Sequence, residues 1–85
     1  MREFDYIIKD EVGIHARPAG LLVKEAKKYE SNILIEKDGK SADAVKLMAL
    51  MGLGVKCGQK VTVKITGSDE EEAYTDLKLF FEKNL

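Results

Sequence analysis

One short stretch, residues 13–19, decides where the first helix of this 85-residue chain begins. Gly13 interrupts an alternating pattern of apolar and polar residues, and from Ala16 onward apolar residues recur at helical spacing. Pro18 falls in the first turn, where its missing backbone N–H leaves no helical hydrogen bond unmade. The pattern therefore predicts a helix that starts at His15.

The only histidine of the chain lies at this helix start, where an anion is favoured. The backbone N–H groups of Ala16 and Arg17 have no partner inside a helix, and they carry the positive end of the helix dipole. Phosphate groups are common ligands of such helix starts. We therefore expect Ala16 and Arg17 to form a phosphate-binding site beside the His15 ring.

Two residues of the stretch contradict ordinary helix design. Histidine is a poor N-cap, since Ser, Thr, Asp or Asn at that position is more stable by roughly 0.5–2 kcal/mol. Arg17 puts a cation against the helix dipole, at a cost of about 0.3–1 kcal/mol when exposed. Local rules broken this close together indicate a functional site. The alternative is that His15 is a surface loop residue and Arg17 a solvated charge.

Length and composition favour one small domain over residues 1–85 and argue against several classes of protein. No segment has the length and apolar character to cross a membrane, and the N-terminus lacks a signal-peptide pattern, which predicts a cytoplasmic protein without membrane insertion. With Cys57 and His15 each the only residue of its type, we expect no disulfide, metal site or cofactor. A net charge of −1 gives no electrostatic case for binding nucleic acid.

Basic residues follow Arg17 along the first helix, at Lys24, Lys27 and Lys28. A basic face beside His15 would favour an acidic partner. The alternative is an ordinary solvated face, which is the more common meaning of such a run.

Hydrophobic periodicity and turn signals give the order strand, helix, strand, strand, helix, strand, helix. The predicted strands cover residues 2–8, 32–37, 40–43 and 61–66, with an Asp38-Gly39 hairpin turn, and the predicted helices cover residues 15–29, 45–53 and a segment after residue 68. Ser68 and Glu71 have the spacing of a capping box for the last helix. This order predicts an α+β fold, a four-stranded and mainly antiparallel sheet with three helices on one face. We interpret the last helix as scaffold.

The second predicted helix is apolar nearly all round, which leaves two interpretations. Some of Leu47, Met48, Leu50 and Met51 remain outside the core and form an adaptable binding surface. Alternatively, all four are simply core residues.

Three motifs at matching positions resemble the HPr family, the phosphocarrier proteins of the bacterial phosphoenolpyruvate-dependent sugar phosphotransferase system. They are Gly-Ile-His-Ala-Arg-Pro-Ala at residues 13–19, Asp-Gly-Lys at residues 38–40 and Leu-Met-Ala-Leu-Met-Gly-Leu-Gly-Val at residues 47–55. The similarity covers essentially the whole chain and implies the open-faced sandwich of that family.

The resemblance implies a phosphoryl relay without independent enzymatic turnover. Enzyme I would pass a phosphoryl group to the Nδ1 atom of His15, which would hand it to a sugar-specific enzyme IIA. Arg17 matches the arginine that neutralises the phosphoryl group. A helix N-terminus disfavours imidazolium, which keeps the ring neutral and nucleophilic.

Further positions match the surface on which the family docks its partners. Leu47, Met48 and Met51 match the apolar part of that surface. Lys24 and Lys27 match basic residues that meet acidic partners.

Two positions depart from the family pattern. Lys46 replaces the serine that a dedicated kinase phosphorylates in many Gram-positive members, so we expect this chain to be unaffected by that kinase. The positive charge of Lys46 should help docking to an acidic enzyme I. Val12 replaces a small polar residue that helps to orient the histidine ring. Valine cannot form that hydrogen bond, so we expect the change to affect the rate of phosphoryl transfer more than the function itself.

Two other functions compete with the sugar relay. An HPr-like regulatory module would dock a regulator or a metabolic enzyme through Leu47, Met48 and Met51, in catabolite or nitrogen control. An independent enzyme with His15 as general base is disfavoured, because Asp10 or Glu11 would have to fold back to orient the ring.

Overall fold

The computed structural model describes residues 1–85, with strands and helices in the predicted order. The strands are β1 (Arg2–Ile7), β2 (Asn32–Lys37), β3 (Lys40–Asp43) and β4 (Lys60–Thr66), and the helices are α1 (Ala16–Ala26), α2 (Leu47–Gly52) and α3 (Glu70–Asn84). Each strand agrees with its predicted bounds to within one residue at either end. None of the helices has both the length and the apolar character needed to cross a membrane.

The four strands form one sheet in the order β1-β4-β2-β3, and every neighbouring pair is antiparallel. Because β4 lies between β1 and β2, the chain must cross one face of the sheet after β1, and α1 makes this crossing. The predicted α+β fold with an open antiparallel sheet is confirmed.

The buried face of the sheet is set by the strand register. Val63 of β4 lies opposite Phe4 of β1 and Ile35 of β2, so these three side chains share one face, and all are buried. Phe81 of α3 packs edge-to-face on Phe4 and Tyr6, with ring centroids 5.7 and 5.5 Å apart. The same core includes buried residues of all three helices.

The turn before α3 is clamped to the turn after α1. The Asp69 carboxylate accepts the N–H groups of Glu30 and Ser31, at 2.9 and 3.0 Å, and the Ser31 hydroxyl at 2.5 Å. These bonds, that from the Ser31 hydroxyl above all, lower the pKa of Asp69. A Cβ at Gly67 would lie 2.6 Å from the Ser31 Cα, so only glycine allows this approach.

The predicted capping box at the start of α3 is wrong. The helix begins one residue later than that box requires, with Asp69 as N-cap. The Ser68 hydroxyl donates to the Glu30 carboxylate at 3.2 Å, and Glu71 pairs with Arg2. The pattern failed because both side chains form contacts with distant parts of the chain.

The first helix ends earlier than predicted, at Ala26 and not at Tyr29. The N–H groups of Lys28 and Tyr29 donate to carbonyl oxygens three residues back, at 3.1 and 3.3 Å, so the chain tightens into turns. The Tyr29 hydroxyl lies 2.8 Å from carboxylate oxygens of both Glu25 and Asp76 of α3. Tyr29 therefore joins the end of α1 to α3.

The second helix is shorter than the predicted segment 45–53. The N–H of Val45 donates to the Asp43 carboxylate, and the N–H of Lys46 donates to the Asp43 carbonyl oxygen, both at 3.0 Å. These bonds form a turn, and the helix begins only at Leu47.

Candidate functional site

The loop before α1 is fixed against the segment that precedes β4. Gly13 has a φ of +83°, and a Cβ there would collide with the Val55 carbonyl oxygen. That oxygen accepts the N–H of Ile14 at 3.0 Å. Glycine is thus required at position 13 both by the positive φ and by the close approach of the Val55 oxygen. The loop therefore fixes the position of His15.

His15 is the N-cap of α1, as predicted, with extended backbone and no side-chain capping bond. Its carbonyl oxygen accepts the N–H of Ala19 at 2.9 Å, and the buried Pro18 has no N–H. The N–H groups of Ala16 and Arg17 therefore remain without a protein acceptor. With 38% of the His15 side chain exposed, ring and donors are open to an incoming group.

The fold brings distant parts of the chain to the His15 ring, and no local sequence pattern predicts them. His15 and Arg17 line a shallow cleft of about 240 Å³ together with the following residues: Asp10, Pro18, Leu21, Lys83 and Asn84. The end of α3, interpreted as scaffold only, thus reaches the site. These residues are brought there by tertiary packing, for which no local sequence pattern exists.

Asp10 does fold back to the ring. Its Oδ1 atom lies 3.7 Å from His15 Nε2 and accepts the N–H of Val12 at 2.9 Å. The Val12 side chain is exposed and, as an apolar group, cannot orient the imidazole. The Asp10 carboxylate, two residues before Val12, lies beside the ring instead.

The cations of α1 differ in their pairing. Arg17, Lys24 and Lys27 are exposed, and their side chains form no hydrogen bond or ion pair within the chain. Lys28, by contrast, pairs with Glu25 at 3.0 Å. The predicted basic face thus consists of the first three residues.

Helix α2 divides its large side chains between the core and the surface. Leu50 is completely buried, whereas 39% of Leu47, 77% of Met48 and 37% of Met51 is exposed. The interpretation that all four are core residues is therefore wrong. We call the three exposed residues the apolar patch; it lies beside Lys46, the exposed N-cap of α2, on a helix that packs against α1.

A family model described as the phosphorylation site of the PTS HPr component matches residues 2–83. The chain belongs to the HPr family. It is therefore a phosphocarrier component of the phosphotransferase system (PTS), the role that its three motifs predicted.

Known HPr proteins match this family member along nearly its whole length. The phosphocarrier protein HPr of Mycoplasma genitalium is 42% identical over 85 residues, 99% of this chain and 97% of that protein. The HPr-like protein Crh of Halalkalibacterium halodurans is 45% identical over 76 residues, 89% of this chain and 90% of that protein. A crystal structure of HPr from Thermoanaerobacter tengcongensis has 43% identity and a TM-score of 0.93, covering 99% of this chain and 94% of the other.

Proposed function

We propose that His15 accepts a phosphoryl group from phosphorylated enzyme I and passes it to a sugar-specific enzyme IIA. One observation supports this most: a partly exposed imidazole lies at the N-cap position of a helix whose first two N–H groups, together with the Arg17 guanidinium, have no other partner. The relay takes place in the cytoplasm, where phosphoenolpyruvate is available.

The transfer requires a nucleophile and a place for negative charge. The Nδ1 lone pair of His15 attacks phosphorus, and the bond between phosphorus and the donor breaks. The N–H groups of Ala16 and Arg17 then hold the phosphoryl oxygens, and the Arg17 guanidinium neutralises part of their charge. No group of the chain would bury the phosphate deeply, which suits a carrier that must release it again.

Partner docking in this proposal uses the apolar patch and the nearby cations. Exposed Met48 and Met51 adapt their shape to two different partner surfaces. Lys24, Lys27 and Lys46 favour acidic partners and raise the rate of encounter. The two partner proteins catalyse the transfers, and the chain itself is a carrier and not an enzyme.

A regulatory role is the second candidate, supported by the 45% identity with a relative named HPr-like protein Crh. In that case the apolar patch would dock a regulator or a metabolic enzyme without carrying sugar-uptake flux. The acceptor geometry at His15 favours the first proposal.

Labelled phosphoenolpyruvate, magnesium and a cognate enzyme I test the assignment. We expect one acid-labile phosphoryl group per chain, lost completely in His15→Ala. Removing the charged donor in Arg17→Ala should slow labelling by roughly ten- to a hundredfold. Lys40→Ala is the matched control, since Lys40 is also an exposed cation without a partner.

Two outcomes would overturn the proposal. Label retained by His15→Ala would move the chemistry to another residue. A native chain that enzyme I does not label, yet that binds a regulator through the apolar patch, would favour the second candidate.

A further inference from the structure

We propose that Asp10 is the positioning residue for His15, its carboxylate holding the imidazole in the tautomer with the proton on Nε2 and the lone pair on Nδ1. This inference rests on the proposed role of His15 as phosphoryl acceptor. In this proposal Asp10 orients the His15 ring. The side chain of Val12 cannot do so, because it is apolar and exposed.

The backbone around Asp10 is held in place by three hydrogen bonds. The N–H groups of Lys9 and Asp10 both donate to the Leu85 carbonyl oxygen, at 2.5 and 2.9 Å. The N–H of Gly13 donates to the Asp10 carbonyl oxygen at 3.0 Å. The carboxylate therefore projects from a fixed piece of chain, tied to the residue that follows α3.

The carboxylate itself is also oriented. Its Oδ1 atom accepts the Val12 N–H at 2.9 Å, which fixes one oxygen on the side of the loop that faces His15. The same oxygen lies 3.7 Å from His15 Nε2, while Nδ1 forms no hydrogen bond within the chain. A carboxylate oxygen has lone pairs for both neighbours.

A carboxylate beside one ring nitrogen selects the proton on that nitrogen. An N–H at Nε2 places its positive end near the Asp10 carboxylate, whereas a lone pair there would lie near the negative charge. The proton is thus kept away from Nδ1, which stays free to attack. In catalytic triads a carboxylate orients the histidine through a hydrogen bond; at 3.7 Å the Asp10 carboxylate acts on the His15 ring through its charge.

The same contact acts during the transfer. When Nδ1 forms its bond to phosphorus, the donor takes the electron pair of the bond that breaks, and the His15 ring becomes positively charged with its proton still on Nε2. Asp10 offsets that charge. When phosphorus leaves for the next acceptor, the electron pair returns to Nδ1 and the ring is neutral again.

Other charges of the cleft have the opposite sign to Asp10. Arg17 and Lys83 line the same cleft, and neither forms an ion pair with Asp10. Glu11 is exposed, does not line the cleft and forms no ion pair with His15. Asp10 is therefore the one acidic side chain among the residues that line the cleft.

Nitrogen-15 NMR of the imidazole in the full chain tests this role, because it reports the tautomer directly. In the native chain we expect the neutral ring to carry its proton mainly on Nε2. Asp10→Asn keeps an oxygen that can accept the Val12 N–H but removes the charge, and it should reduce the ratio of Nε2–H to Nδ1–H tautomer by about tenfold. Glu11→Gln removes the same charge from the next residue and should leave the ratio unchanged.

Phosphoryl transfer from enzyme I gives the second readout. Asp10→Asn should slow labelling by roughly tenfold without shifting the midpoint of thermal unfolding, whereas Glu11→Gln should change neither. A native tautomer ratio in Asp10→Asn, or an equal change in Glu11→Gln, would overturn the role of Asp10 while the label on His15 still stands. Failure of enzyme I to label the native chain would instead overturn the proposed function.

Discussion

Two regions of this HPr protein differ in how far their prominent charged and apolar side chains find partners within the chain. We call one the acceptor region: the start of α1 together with the apolar patch, where Arg17 has no ion pair and Met48 is 77% exposed. The other, the scaffold region, is the sheet with α3. There Lys64 pairs with Glu36 at 2.9 Å, and the Arg2 guanidinium lies 4.0 Å from the Tyr74 ring centroid.

The difference separates folding from function. The named contacts of the scaffold region are completed within the chain, so they add to its stability, although single exposed side chains such as Leu79 remain there too. In the acceptor region, the N–H groups of Ala16 and Arg17, the Arg17 guanidinium and the exposed methionine Met48 have no such partner within the chain. In the proposed function, a phosphoryl group and two successive protein partners supply those contacts.

The largest expected effects come from the two glycines that close contacts require. Gly13→Ala and Gly67→Ala should each lower the free energy of unfolding by roughly 3 kcal/mol, since each new Cβ meets backbone atoms. Only Gly13→Ala should also slow phosphorylation of the folded protein, because it displaces the loop that places His15. Urea unfolding and the initial rate of labelling measure the two effects, and an equally slow Gly67→Ala would show that the regions are not separate.

A smaller effect is expected from a charge in the apolar patch. Met48→Asp should weaken binding of enzyme I by roughly tenfold or more, because an exposed apolar contact becomes a buried charge in the complex. Stability should change by less than about 0.5 kcal/mol. Leu79→Asp is the matched control, since Leu79 is 61% exposed on α3.

Isothermal titration of both variants decides the assignment of the patch. Equal affinity of Met48→Asp and the native chain would mean that partners dock elsewhere. A loss of affinity in Leu79→Asp would extend docking into the scaffold region.

The smallest expected effect is on acid stability. Because the folded-state pKa of Asp69 is below its usual value, its contribution to stability is present above the unfolded-state pKa of about 4 and is lost as the pH falls through the folded-state pKa. Asp69→Asn should therefore flatten this part of the pH profile. Glu72→Gln, at an exposed carboxylate without a partner, should not.

Urea unfolding from about pH 7 to about pH 2 measures these profiles. A profile of Asp69→Asn that is parallel to that of the native chain would remove Asp69 from the clamp. Both variants should be phosphorylated at the native rate near pH 7, because their substitutions change only the scaffold region.

Local signals were sufficient to predict most of the fold. Alternation along residues 61–66 and the Asp38-Gly39 turn are properties of neighbouring residues, and they gave strands and a hairpin in the right places. The helix start at His15 followed from Pro18 and the apolar spacing for the same reason. Family membership then followed from motifs that lie within such segments.

Distant contacts account for what the sequence did not predict. The capping box failed because Ser68 bonds to Glu30, far away in sequence, and α1 ends early where Tyr29 reaches Asp76. Lys83 and Asn84 arrive at the His15 cleft only through the packing of α3. The spacing of residues along the sequence does not predict such long-range contacts.

The position of the phosphoryl group tests the central claim most directly. After reaction with phosphoenolpyruvate and enzyme I, coupling between phosphorus and imidazole nitrogen in NMR spectra identifies the atom that carries phosphorus. We predict phosphorus on Nδ1 of His15, with the proton on Nε2 beside Asp10. Phosphorus on Nε2, on another residue, or absent from the chain would contradict this account.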